Sequence, residues 1–155
     1  AIFRAGKWLN GNVFAAGIYK HDKSNHFFDL PFDRQKLSVV LGGTASIKLC
    51  NTQDVRLILN PFFQSKVIQG VYDVSPIFRM NAKLQWSSHD GKWGLRINGS
   101  NIFNSKADTR SVQGNQDYRM KINNDWATVT FAVIYKFGGY KEKKVKAIDT
   151  SRMGH

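Results

Sequence analysis

Residues 36–49 alternate with a period of two, and this pattern constrains the chain more than any other feature. Leu37, Val39, Leu41, Gly43, Ala45, Ile47 and Leu49 are apolar or small, while Ser38, Thr44, Ser46 and Lys48 fall between them. Successive side chains of a β-strand point to opposite faces, so a period of two means one greasy face and one polar face. The greasy face is about seven residues deep, roughly what a tilted strand needs to cross a bilayer.

The alternation returns along the chain. In residues 54–64, Val55, Leu57, Leu59, Pro61 and Phe63 oppose Arg56, Asn60 and Gln64, with Ile58 and Phe62 as exceptions. In residues 77–87, Phe78, Met80, Ala82, Leu84 and Trp86 oppose Arg79, Asn81, Lys83 and Gln85 without an error. Residues 92–100 set Trp93, Leu95, Ile97 and Gly99 against Arg96, Asn98 and Ser100. Residues 126–137 set Val129, Phe131, Val133, Tyr135 and Phe137 against Thr128, Thr130 and Lys136. Residues 8–19 alternate more loosely, and the expectation is six strands.

Connections come in two lengths that take turns. Residues 50–53 and 88–91 are tight polar turns of the Asn/Asp/Gly type. Residues 20–35, 65–76 and 104–125 are long and polar, as expected of loops. Outer-membrane barrels pair short periplasmic turns with long extracellular loops. On that scheme the last strand runs inward and ends near Phe137 on the periplasmic side.

Other classes fit poorly. No window keeps the helical apolar period, and no apolar run approaches the roughly 18 to 20 residues of a membrane helix. The chain opens on Ala1 with neither an initiator Met nor a signal-peptide pattern, as expected of a processed start or a fragment. Cys50 stands alone, which rules out an intrachain disulfide. His21 and His26 sit in a charged stretch and read as solvated side chains rather than metal ligands; Asp29, Asp33 and Asp73 read as solvated loop acids. No nucleophile and base in a useful order, phosphate loop or paired carboxylates are found, so no catalysis, cofactor or metal is expected.

The net charge of +12 raises the possibility of a polyanionic partner. Its alternative form is a soluble basic β domain that binds nucleic acid or another polyanion. The basic residues are spread along strands, loops and tail without a nucleic-acid-binding motif, so no nucleic-acid partner is expected. A soluble barrel or sandwich buries its apolar face inside, and a six-stranded barrel has an interior too narrow to leave an aqueous channel. An all-β, antiparallel, up-and-down transmembrane β-barrel segment, about six strands of a larger barrel, uses both faces as they stand. The expected lumen-facing set is Ser38, Thr44, Ser46, Lys48, Arg56, Asn60, Arg79, Asn81, Lys83, Gln85, Arg96, Asn98, Thr128 and Thr130. Aromatics gather at strand ends: Trp86, Trp93, Tyr135 and Phe137 beside turns or the terminus, and Phe63, Phe78 and Trp126 near the long loops. Two interfacial girdles would place them so, against membrane lipid and lipopolysaccharide.

Four stretches carry a resemblance: residues 30–34 (Leu-Pro-Phe-Asp-Arg), 68–73 (Ile-Gln-Gly-Val-Tyr-Asp), 97–104 (Ile-Asn-Gly-Ser-Asn-Ile-Phe-Asn) and 135–141 (Tyr-Lys-Phe-Gly-Gly-Tyr-Lys) with the tail residues 149–152. In these the chain resembles the C-terminal part of the Bacteroidota outer-membrane β-barrel family, close to the TonB-dependent receptors. The resemblance implies a large barrel of about 22 strands with a plugged lumen, of which these would be the last. It also implies that the plug and the segment contacting TonB lie upstream.

Outer-membrane barrels carry a last-strand pattern, polar-x-Gly-x-x-aromatic-x-aromatic, read by the barrel assembly machinery. Thr130, Tyr135 and Phe137 match it, with Ala132 in place of Gly. The expected organisation is therefore a barrel portion over residues 1–137 and a basic periplasmic tail over residues 138–155. The tail looks like those of the Bacteroidota members.

Overall fold

The computed structural model describes residues 1–25, 31–52, 54–111, 118–122 and 126–137. It is all-β and antiparallel. Its main sheet is a meander of seven strands: β1 (Ile2–Ala5), β2 (Leu9–Ser24), β3 (Phe32–Lys48), β4 (Asp54–Gln64), β7 (Ile77–Ser87), β8 (Trp93–Ser100) and β11 (Thr128–Tyr135), paired in that order. Between them, β5 (Val67–Gln69), β6 (Tyr72–Val74), β9 (Ala107–Ser111) and β10 (Arg119–Ile122) form a second sheet in the order β10-β9-β6-β5.

Six of the seven main strands are the alternating segments, with ends shifted by no more than two residues except where β2 and β3 extend toward each other by five and four. Three expectations need correction. A seventh strand, β1, pairs with the start of β2 through a tight turn in which Gly6 takes φ of 57°. It is only four residues long, too short to show a period. Residues 20–35, expected to be a loop, are mostly strand: β2 and β3 stay paired from Lys20↔Lys36 out to Ser24↔Phe32. There Tyr19 Oη donates to Gln35 Oε1 at 2.7 Å, and Asp33 holds His21 at 2.6 Å and Lys23 at 3.2 Å. Once a hairpin rises beyond lipid, water wets both faces and the apolar signal disappears from a strand that continues. The third correction is that residues 65–76 and 104–125 contain the four strands of the second sheet rather than loop alone.

The packing is inverted relative to a soluble protein. Among the described residues only three hydrophobic side chains, Ile68, Val71 and Ile77, are buried. Val129 is 78% exposed, Leu37 67% and Phe131 62%. An exposed apolar surface this continuous needs an apolar solvent. The cross-strand registers confirm that it is one face: Ile47↔Leu57, Leu57↔Leu84, Leu84↔Ile97 and Ile97↔Phe131 form an unbroken row.

One break interrupts the hydrogen-bonded ladder. Between β3 and β4 the pairing runs from Val40↔Gln64 to Gly42↔Phe62 and resumes only at Ala45↔Leu59. Pro61, opposite Gly43, has no N–H to give, and its pairing with β7 is intact, so the loss falls on the β3 side. Thr44 Oγ1 donates to Asn60 Oδ1 at 2.9 Å and stitches the gap. On the other side β2 approaches closely: a Cβ on Gly43 would lie 2.4 Å from the Asn12 carbonyl oxygen.

That geometry separates two glycines of the same apolar face. A Cβ at Gly17 would meet nothing nearer than Leu37 Cδ1 at 4.0 Å. Gly43→Val should destabilise the full-length barrel by about 1–3 kcal/mol, because backbone must move. Gly17→Val should be neutral or stabilising. Urea unfolding in micelles, followed by heat-modifiable gel migration, measures both; equal effects would refute the close approach.

Candidate functional site

The polar face of the main sheet is built row by row from the strand registers. One row in from Asp54, Ser87, Gly94 and Ile134 at the tight turns, Lys48, Arg56, Gln85, Arg96 and Ala132 are successive cross-strand partners. The next row runs Asn10, Ser46, Ile58, Lys83, Asn98 and Thr130. Farther out, Asn60 pairs with Asn81 and Thr128 with Ser100, and Phe14, Gly42, Phe62 and Arg79 form a mixed row. All the residues expected to be lumen-facing share this face. Ile58 and Phe62, the exceptions to the alternation, lie on it too.

Asn60, Asn81, Lys83, Arg96 and Asn98 line a concavity of about 380 Å³. A second, of about 230 Å³, is lined by Asp54, Arg56, Gln85 and Arg96 among others. Besides Thr44 and Asn60, which stitch the gap in the ladder, two more of the expected residues serve the scaffold as well. Asn81 Oδ1 accepts the Asn101 N–H at 2.8 Å. Ser38, 2% exposed, donates its hydroxyl to the Lys66 carbonyl at 2.9 Å.

The Asn81 contact belongs to a corner that turns β8 toward β9. Asn101 and Asn104 adopt left-handed φ of 45° and 50°, which Asn tolerates better than most residues. The Asn101 side chain brackets Ser105, donating to its carbonyl at 3.1 Å and accepting its N–H at 3.0 Å. Ile102 and Phe103 stay exposed beside the apolar face, with Phe103 5.8 Å from Phe78 between ring centroids.

The outer end of the polar face is covered by the β5–β6 hairpin. Gly70 makes its tight turn at φ of 58°. Its N–H donates to Asp22 Oδ2 at 2.6 Å, and its carbonyl accepts Arg34 Nη1 at 3.2 Å. Lys20 Nζ donates to the Ile68 carbonyl at 3.0 Å. Asp73 is paired with Arg34 and, at 2.5 Å, with Lys66. Partial burial works to raise the Asp73 carboxyl, but the hydrogen bonds and charges of Lys66 and Arg34 outweigh it and hold it below the ordinary carboxylate range. The hairpin is zipped in turn to β9 through Asp73↔Arg110, and β9 to β10, where Arg119 pairs with Asp108.

Lys20, Asp22 and Arg34 were missed as site residues because their segment read as loop. Residues 20–24 and 33–35 are polar on both faces, so no apolar period marks them. Asp33 and Asp73 are engaged in ion pairs rather than free in loops, and His21 is paired with Asp33. Among the described residues no group of three or more His, Cys, Asp or Glu could hold a metal ion. His26, Asp29 and the tail lie outside the described residues.

The aromatic residues gather at the two ends of the apolar face. At the turn end, Trp93 and Tyr135 have ring centroids 4.4 Å apart, and Phe137 meets Tyr135 edge-on at 4.5 Å. Trp86 lies one strand over, opposite Leu95. At the loop end Phe63 pairs directly with Phe78, and Trp126 is exposed. In β11, Thr130 and Ala132 point with the polar rows while Tyr135 lies on the apolar face.

Asp73→Ala would leave Arg34 and Lys66 together without their shared carboxylate. Amide hydrogen exchange in residues 67–74 of the full-length barrel should then accelerate by about tenfold or more, as expected for losing a part-buried charged hydrogen bond. Because the Asp73 carboxyl is depressed, its contribution is complete above the ordinary value of 3.8 and is lost as pH falls through the lower folded value. Exchange that is unchanged in the variant would show that the ion pairs do not hold the hairpin.

A family model described as "Outer membrane protein beta-barrel family" matches residues 1–137. Comparisons with curated proteins and with solved structures give no match. The matched span takes in every strand of both sheets. With one face bare and apolar, the other charged and every connection antiparallel, the chain belongs to the outer membrane protein beta-barrel family and forms part of the wall of a barrel in the bacterial outer membrane.

Proposed function

We propose that this wall belongs to a ligand-uptake barrel of the TonB-dependent receptor type from a Bacteroidota outer membrane. The observation that carries the reading is the β5–β6 hairpin docked on the polar face at the end opposite the tight turns. A barrel that served only as an anchor has no need of an ion-paired hairpin at its mouth, whereas an uptake barrel must control what enters. The polar rows face the lumen and the ligand, the apolar rows face membrane lipid and lipopolysaccharide, and no catalytic step is involved. Further strands of the same barrel pair with the open edges at β1 and β11, since unpaired amides in hydrocarbon cost several kcal/mol each. A plug and a TonB-contacting segment upstream complete the transporter. Thr130, Ala132, Tyr135 and Phe137 present the last strand to the barrel assembly machinery.

Two experiments test this reading. In intact cells making the full-length barrel, a bulky membrane-impermeant maleimide should leave Cys50, at a turn, unmodified until the membrane is broken. It should label a Cys50→Ser, Tyr118→Cys variant at once, because Tyr118 is exposed beside the outer sheet. The reverse pattern would invert the topology. For energised uptake, photo-crosslinking in intact cells should join the full-length protein to TonB. No product, in a membrane where another TonB-dependent receptor crosslinks, would remove that part of the reading.

A further inference from the structure

The geometry points to an anion-binding track on the polar face, between the β5–β6 hairpin and the tight turns, for a small ligand that carries several carboxylate or phosphate groups. The inference rests on the uptake reading and names its ligand class.

In that region the registers bring Lys48, Arg56, Arg79, Lys83 and Arg96 onto one face, and Asp54 is the one carboxylate of the described strands that shares this part of it, Asp22 lying at the hairpin end. Asp54 is already engaged with Arg56 at 2.8 Å. Among the described residues no carboxylate lies within ion-pair distance of Lys48, Lys83 or Arg96. Lys48 stands directly across from Arg56, an arrangement of like charges that weakens a sheet. Arg96 borders both concavities of the face. Its Nε and the Asn98 Oδ1 are covered from solvent with no hydrogen-bond partner, which costs free energy until something fills the site.

The contrast with the hairpin is what turns charge into a ligand class. There Lys20, Arg34 and Lys66 are each paired with Asp22 or Asp73, so those cations are spent on structure. Deeper along the wall Lys83 and Arg96 are left open, flanked by the amides Asn60, Asn81 and Asn98, which can hydrogen-bond to oxygen. Low-dielectric walls focus the field of such groups, and rings of Arg and Lys are how anion pores select. A ligand with two or more anionic groups could bridge the two concavities through Arg96.

The test uses the full-length barrel in uncharged micelles, titrated calorimetrically with citrate, with inorganic pyrophosphate and, as the opposite charge, with spermidine. At least one of the two anions is expected to bind, and which one does so separates carboxylate from phosphate as the group recognised. K83Q/R96Q should weaken that binding by about tenfold or more, whereas K7Q/K92Q, with the same charge change in the turns, should leave it within about twofold. K83R/R96K keeps both charges and should retain binding, which guards against a merely misfolded variant. The proposal is overturned if neither anion binds, as when carboxylates elsewhere in the barrel neutralise the track. It is equally overturned if spermidine binds as well as the anions, or if the two glutamine pairs weaken binding alike. TonB crosslinking without anion binding would sink this inference alone; anion binding without TonB crosslinking would sink only the energised-uptake reading.

Discussion

Everything in this fold depends on pairing backbone amides where there is no water to satisfy them. Each unpaired group in hydrocarbon costs several kcal/mol, which leaves a continuous antiparallel sheet as the way for strands to cross. The meander from β1 to β11 meets that demand by joining nearest neighbours in sequence along most of its length. With the backbone so arranged, side chains can only alternate between two solvents, and the protein needs almost no core. Among the described residues, the three buried hydrophobic side chains belong to or flank the β5–β6 hairpin rather than the sheet's centre.

Departures from the regular ladder are where the structure carries specific information. Pro61 removes a donor in the middle of a strand paired on both sides, and Gly43, Thr44 and Asn60 adapt to the gap. The Asn101–Asn104 corner takes left-handed backbone to swing the chain out of the wall, and its amides satisfy the groups that the turn exposes. Beyond the corner, β9 and β10 join the β5–β6 hairpin in a second sheet. Two connections that are far apart in sequence thus become one outer structure.

Charge is divided between the two ends of the polar face. At the hairpin end, Lys20, Arg34 and Lys66 are each paired with Asp22 or Asp73; toward the tight turns, cations outnumber carboxylates. A net charge of +12 by itself suggests only an anionic partner of unspecified kind. The register converts it into a location, because Lys83 and Arg96 sit diagonally across the β7–β8 pair instead of scattered over a surface.

The period of two was enough to read six strands, the tight turns between them, both faces and the membrane class, because lipid on one side and water on the other force every other residue to comply. The same logic explains what was hidden. Residues 20–24 and 32–35 remain strand, but nearly all of their side chains on both faces are polar, so the period carries no apolar signal. β1 is too short to show one. The second sheet and the docking of its hairpin rest on pairs such as Arg34 with Asp73, 39 residues apart, and on Asp73 with Arg110 across strands. Local alternation fixes which face a side chain takes, since that follows from geometry within a strand. Which connections fold back over that face was decided only in three dimensions, where charges far apart in the chain are brought within hydrogen-bonding reach.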